Sequence, residues 1–240
     1  MIKRKDFFHR KIKYSFNWNF QNHQRTYSEY QNNRKQFKKL EMYFKKVHKG
    51  AIPNQIFNAR NMPRISQFRI KGLKRGFLPS FSRELINSGK VKKFGSDHKL
   101  SKYAANVYQI YKKNKINKKP GHDPVLKHIL IKDKCAIAIE VPIWKKFNNE
   151  FLTGHIDLVQ IEQAAFKIVD YKPEGHFLKS LPQVSMYGIL FQSVFKVDNL
   201  KCISFNKDKA WEYDPNILLT DIRNFLKNQG IAQAWQQYVP

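Results

Sequence analysis

The stretch FLTGHIDLVQIEQAAFKIVDYK, residues 151–172, constrains this chain more than any other. Two β-like runs flank the short segment EQAA, which is too brief for a crossover, so the runs pair as an antiparallel hairpin. A turn centred on Gln163 and Ala164 then sets a register in which Asp157 faces Asp170. Lys172, two residues after Asp170, projects from the same face of its strand. Upstream, AIAIEVPIW (136–144) reads as a buried strand carrying one carboxylate, Glu140, which needs a partner or a cation. A symmetric return through KKFNNE brings Glu140 within a residue or two of facing Asp157. Three carboxylates and a lysine thus converge, and carboxylates so close repel unless a divalent cation neutralises them.

Downstream, EGHFLKSLPQVSMYGILFQSVF has apolar residues at helical spacing, with Ser180 read as the N-cap and Pro182 in the first turn. Gln183 and Tyr187, four apart, share one helical face. Gln183 also stands third after Ser180, the spacing of a capping box.

GHID (154–157), IVDYK (168–172) and QVSMY (183–187), in this order, resemble the motifs of the PD-(D/E)XK nuclease superfamily, in particular its RecB-like exonuclease branch. The resemblance covers roughly residues 95–205. It implies an α/β (α+β) fold with a restriction-endonuclease-like core, a mixed central sheet flanked by helices, and metal-dependent DNA cleavage with Mg²⁺ or Mn²⁺. By the same resemblance Asp157 and Asp170 are metal ligands, with the Tyr171 carbonyl as a third and Glu140 as a further ligand or anchor. Lys172 orients or deprotonates the attacking water, and a nearby cation gives its ammonium reason for a lowered pKa. Gln183 and Tyr187 brace Lys172 or contact the nucleic acid. His98, at the entrance of a helix preceding the three strands, resembles the family's histidine ligand, although Gly95 precedes it by three residues where the family has four. His122 and His128 compete with it for the role. Pro173 stands where the family usually has Thr or Ser after the lysine.

Charge supports a polyanionic partner. Of a net +27, residues 1–100 carry 25 Lys and Arg against 5 Asp and Glu, whereas residues 151–240 carry 9 of each. A neutral half joined to a cationic half gains counterion release on nucleic acid. The division read from sequence is therefore 1–90, a basic, aromatic-rich, partly helical nucleic-acid-handling extension, and 91–240, the nuclease domain. Within the extension, residues 1–27 show no sustained period and suit either an arm on nucleic acid or aromatics docked on the protein's own core. A capping box at Ser28–Gln31 opens a basic amphipathic helix over roughly 29–48, and residues 51–79 read as irregular. A short helix then ends at Gly89, and Leu100, Tyr103, Ala104, Val107, Ile110 and Tyr111 stripe a longer one.

Other classes are disfavoured. Cys135 and Cys202 are the only two cysteines and form no CxxC, so neither a disulfide framework nor an iron–sulfur cluster is expected. No Walker loop, GxGxxG or HExxH occurs. Residues 1–28 hold one acid but are poor in the composition of a transit peptide, and no apolar run is long enough for a membrane span. The expected location is cytoplasmic or nucleoid-associated, the expected partner DNA at single-stranded or frayed ends, with a helicase or other repair protein as a further partner. The runner-up activity is a structure- or sequence-specific endonuclease. The rival from another class is a non-catalytic nucleic-acid-binding protein.

Overall fold

Arg10 and Lys11 both take positive φ, 51° and 68°, and the tight turn they make pairs β1 (Ile2–His9) with β2 (Ile12–Asn19) along their whole length. The computed structural model describes residues 1–30, 34–74, 76–147, 150–173 and 177–239. The first 27 residues are thus sheet and helix, and of the two sequence readings the docked one holds. Phe16 and Trp18 are fully buried and Phe7 nearly so. The period was hidden because buried positions also hold His9, Asn17 and Asn19, which are satisfied by hydrogen bonds. Asn19 Nδ2, for example, donates to the Leu130 carbonyl at 3.0 Å.

Asn19 also caps α1 (Phe20–Glu29), accepting the Asn22 N–H at 3.1 Å. The apolar stripe Phe37, Leu40, Phe44 and Val47 lies on α2 (Arg34–His48) as expected. Its predicted start does not hold: Ser28 lies inside α1, with Oγ on the Gln24 carbonyl at 3.2 Å, and Gln31 lies outside the described residues. The proline-containing segment holds α3 (Asn54–Asn58) and a single 3₁₀ turn at Ile65–Gln67. Then come α4 (Phe77–Asn87), followed by Gly89 at φ 73°, β3 (Val91–Phe94), α5 (Lys99–Lys113), α6 (His122–Lys132) and β4 (Ala136–Phe147). The chain finishes with β5 (Glu150–Glu162), β6 (Ala165–Tyr171), α7 (Phe177–Phe195), β7 (Leu200–Phe205), β8 (Ala210–Tyr213) and α8 (Asp221–Asn228). The segment KAWEYD, residues 209–214, is mostly strand β8.

The eight strands form one sheet in the order β1-β2-β4-β5-β6-β7-β8-β3, antiparallel throughout except for β6 beside β7. This is a mixed, mostly antiparallel α+β architecture. On one face α5 and α6 pack Leu100, Ala104, Val107 and Ile129 against Ile139, Leu158, Val169 and Tyr171. On the other, α2 and α7 bring Phe44, Val184 and Phe191 into one core with Phe16, Trp18, Val141 and Ile156. That core runs from Phe7 to Val239, so the division expected near residue 90 is not a packing boundary. β2 enters the sheet directly beside β4, with Asn17 opposite Ile139, and the expected extension is structurally part of the core. Among the described residues no helix is long and apolar enough to cross a membrane.

Candidate active site

The β5–β6 register is the one the sequence implies. Pairs run from Glu162–Ala165 to Leu158–Val169 around Gln163 and Ala164, whose φ values are 50° and 61°. At the next position the backbone ladder gives way, and Asp157 Oδ2 accepts the Tyr171 N–H at 3.0 Å. A side chain here replaces a strand carbonyl and fixes Asp157 beside the start of the Asp170–Lys172 segment. Lys172 Nζ lies 2.8 Å from Asp170 Oδ2, as expected for residues two apart on a strand. Asp170 is 1% exposed, and neither of its oxygens has a partner in hydrogen-bond geometry. Lys172 therefore supplies charge without a well-aligned bond.

On β4, the pairs Ile139–Leu158 and Val141–Ile156 bracket Glu140 and Asp157, so the acids occupy facing positions. Glu140 has φ 52°, a left-handed conformation that costs a non-glycine residue about 1–3 kcal/mol and is found where a site over-determines the backbone. The irregularity crosses both strands: Ile156 belongs to the α7-side core and Leu158, two residues on, to the α5/α6-side core.

Glu140 and Asp157 line a cavity of about 200 Å³ with Gln183 and Tyr187, which α7 presents one turn apart. Gln183 is buried with Oε1 unpartnered. α7 begins at Phe177, so Ser180 is not its cap: the serine Oγ bonds back to the Phe177 carbonyl at 3.1 Å and Pro182 lies in the second turn. This correction removes the capping role for Gln183 and leaves it facing the cavity. The Tyr171 side chain packs into the α5/α6 core, with its hydroxyl 3.4 Å from that of Tyr108 and its ring edge-on to His122 at 5.4 Å, and its backbone N–H is the group that meets Asp157.

Burial, then the charges of Asp157, Asp123 and Asp170, push the Glu140 carboxyl up to about 8. Burial and Asp157 push Asp170 up to about 7, against the pull of Lys172. For Lys172 burial works downward, but Asp170 and Asp157 outweigh it and the ammonium is held above its ordinary range. One ammonium thus faces several carboxyl groups that cannot all ionise together, and two of them hold protons up to near-neutral pH.

Of the expected residues, His98 is not brought to this group. It caps α5, with Nδ1 accepting the Leu100 N–H at 3.3 Å and its ring 5.0 Å from that of Phe94. Its charged neighbours are Lys167, Glu212, Glu162 and Asp97, none of them in the carboxylate group. His128 lies beside Tyr103. His122, at the start of α6, is the histidine present: its Nε2 is 3.7 Å from Asp157 Oδ2, and it lines the cavity.

Four further cavity residues were not singled out by sequence: Tyr14, Arg64, Ser66 and His155. His155 sits inside the GHID stretch and was legible in principle. It is 6% exposed, stacks on Tyr14 with centroids 3.7 Å apart, and shares a 2.9 Å contact with His9 Nδ1. Nothing local marks Tyr14 or Arg64 as site residues.

The donor set suits a hard divalent cation: clustered carboxyl groups whose raised pKa values a cation would lower, and an unpartnered amide oxygen on Gln183 in the same cavity as Glu140 and Asp157. Among the described residues no three His, Cys, Asp or Glu side chains already surround a single point. Compared with protein-family models and with curated proteins, the chain matches none.

Proposed function

We propose that this chain is a divalent-metal-dependent nuclease of the PD-(D/E)XK type, RecB-like, which hydrolyses DNA phosphodiester bonds at single-stranded or frayed ends. The observation that supports this reading best is Asp170, buried with both oxygens lacking hydrogen bonds, between Lys172 at 2.8 Å and the strand position of Asp157. A carboxylate buried this deeply keeps its charge only beside cations, which Lys172 supplies in part and a bound metal ion would complete.

Hydrolysis forms a bond from a water oxygen to phosphorus and breaks the bond from phosphorus to the leaving sugar oxygen, with charge growing on the phosphoryl oxygens. Asp157 and Asp170 would hold Mg²⁺ or Mn²⁺, with Glu140 and the Tyr171 carbonyl beside them. The cation, when bound, supplies Lewis acidity that neutralises this charge and acidifies water. Lys172, kept as an ammonium by Asp170, donates to a phosphoryl oxygen as its charge develops. Gln183 offers an acceptor and a donor pair on the cavity wall, and Tyr187 forms the same wall one helical turn on.

Digestion of end-labelled single and double strands with Mg²⁺ or Mn²⁺ tests this. Asp157→Ala and Lys172→Ala should each lower the rate by about 10²-fold or more, and chelation should abolish cleavage. Equal cleavage by wild type and both variants would remove the assignment, and cutting of closed circular DNA would replace end-directed with internal cleavage.

A further inference from the structure

From Asp157 toward its N-terminus, β5 makes no ladder pairs with β6, and a distant segment takes up part of that edge. The Pro63 carbonyl accepts the Thr153 N–H at 3.3 Å, Arg64 bridges Thr153 in parallel, and Met62 Sδ accepts the Phe151 N–H at 3.3 Å. Arg10, in the β1–β2 turn, holds the same segment by donating from Nη2 to the Met62 carbonyl at 2.9 Å. The sheet thus carries residues 60–71 past the mouth of the carboxylate cavity.

Arg64 is 7% exposed and lines that cavity. Its Nη2 donates to the Tyr14 hydroxyl at 3.1 Å, its Nε has no partner, and among the described residues it forms no ion pair. A guanidinium this buried needs an anion. The acids of the same cavity do not supply one within ion-pair distance, so a cationic wall and an anionic wall stand apart across the space.

Next to this cavity, the same segment walls a second hollow of about 470 Å³, lined by Arg60, Arg69 and Lys71 together with Trp235 and Tyr238. Trp235 Nε1 donates to the Arg69 carbonyl and Gln233 Nε2 to that of Lys71, both at 3.0 Å. These bonds fix the backbone while the three cationic side chains form no ion pair among the described residues. Pro63 and Gln67 line this hollow while Arg64 and Ser66, between them, line the first, which makes the two hollows neighbours along the segment, and Arg69 acts electrostatically on both Asp170 and Lys172. A volume of this size takes a nucleotide-sized group, and a duplex, whose major groove alone is about 12 Å wide, does not enter it.

We infer that residues 60–71 form a phosphate-binding track for one polynucleotide strand, with Arg64 holding the phosphate at the carboxylate cavity and Arg60, Arg69 and Lys71 holding the phosphates that flank it. The inference rests on the phosphodiester reading above for its substrate, but it is a statement about binding. It is tested without cleavage, by fluorescence anisotropy of a labelled single-stranded oligodeoxynucleotide in chelator across a salt series.

The exposed triple variant Arg60→Ser/Arg69→Ser/Lys71→Ser should bind at least tenfold more weakly. Its slope of log affinity against log salt should shrink by about 2, since each phosphate contact on a single strand contributes about 0.7. Arg64→Ala should lose about 0.7 of that slope and Arg64→Lys should keep most of it, which separates loss of charge from loss of the Tyr14 packing. A control triple on α2, Lys35→Ser/Lys38→Ser/Lys39→Ser, should bind nearly as wild type. An unchanged slope in the track triple, an equal loss in the control, or equal affinity for blunt duplex would each overturn the track. If wild type shows no metal-dependent cleavage while the track triple still loses binding, the track stands and hydrolysis falls.

Discussion

Gly154 owes its identity to Tyr187. A Cβ at this position would overlap the tyrosine ring and stand 3.0 Å from its hydroxyl, so β5 can approach α7 at the cavity only without a side chain there. Gly154→Ala should cost about 1–3 kcal/mol by overpacking and displace Tyr187, lowering metal-dependent cleavage. A thermal melt and rate that both match wild type would contradict this. A second residue-scale effect lies under the N-terminal hairpin. His23 is fully buried; Nδ1 accepts from Trp18 Nε1–H at 3.1 Å, and Nε2 donates to the Phe37 carbonyl at 3.2 Å. Protonation would set one N–H against another, and burial pushes the imidazole down to about 4. The unfolded chain, with a value near 6.5, binds the proton first as pH falls. His23 therefore leaves stability intact above about pH 6.5 and removes it progressively toward pH 4, by up to about 3 kcal/mol. Urea titrations at pH 7 and pH 4.5 should show a steeper acid loss for wild type than for His23→Gln, and parallel losses would refute the assignment.

At the scale of elements, the β5–β6 hairpin was legible because a two-residue turn and period-two patterning leave one register that buries both apolar faces. The turn itself is unusual. Gln163 and Ala164 hold positive φ where Asn and Gly are preferred. Ala164→Gly should relieve about 0.5–1 kcal/mol and raise Tm by a few degrees; a lower Tm would argue against the left-handed turn. The start of α7 was less legible. Ser180 followed by Pro182 imitates a helix N-terminus, yet the buried Phe177 and Leu178 are already helical, ahead of that cap. Packing outweighed local capping preference, as it does whenever an apolar turn has a core to enter.

For the whole molecule, the main revision concerns the basic N-terminal half. Its aromatics are not a loose arm: Phe16, Trp18, Phe37 and Phe44 belong to the same core as α7, and β2 closes the edge that β4 would otherwise expose. A fragment comprising residues 91–240 should therefore fail to melt cooperatively, as circular dichroism would show. A sharp transition in that fragment would restore a separate domain.

The sequence alone determined the positions of Asp157, Asp170 and Lys172, because hairpin register and strand alternation are set over a few neighbouring residues. It also located Gln183 and Tyr187 one helical turn apart for the same local reason. Only the tertiary structure decided what meets them: His122 in place of His98, and Tyr14, Arg64 and His155 around the same cavity. Those encounters join residues far apart in the chain, and they follow from how the N-terminal hairpin and the 60–71 segment pack on the sheet, which no local pattern encodes.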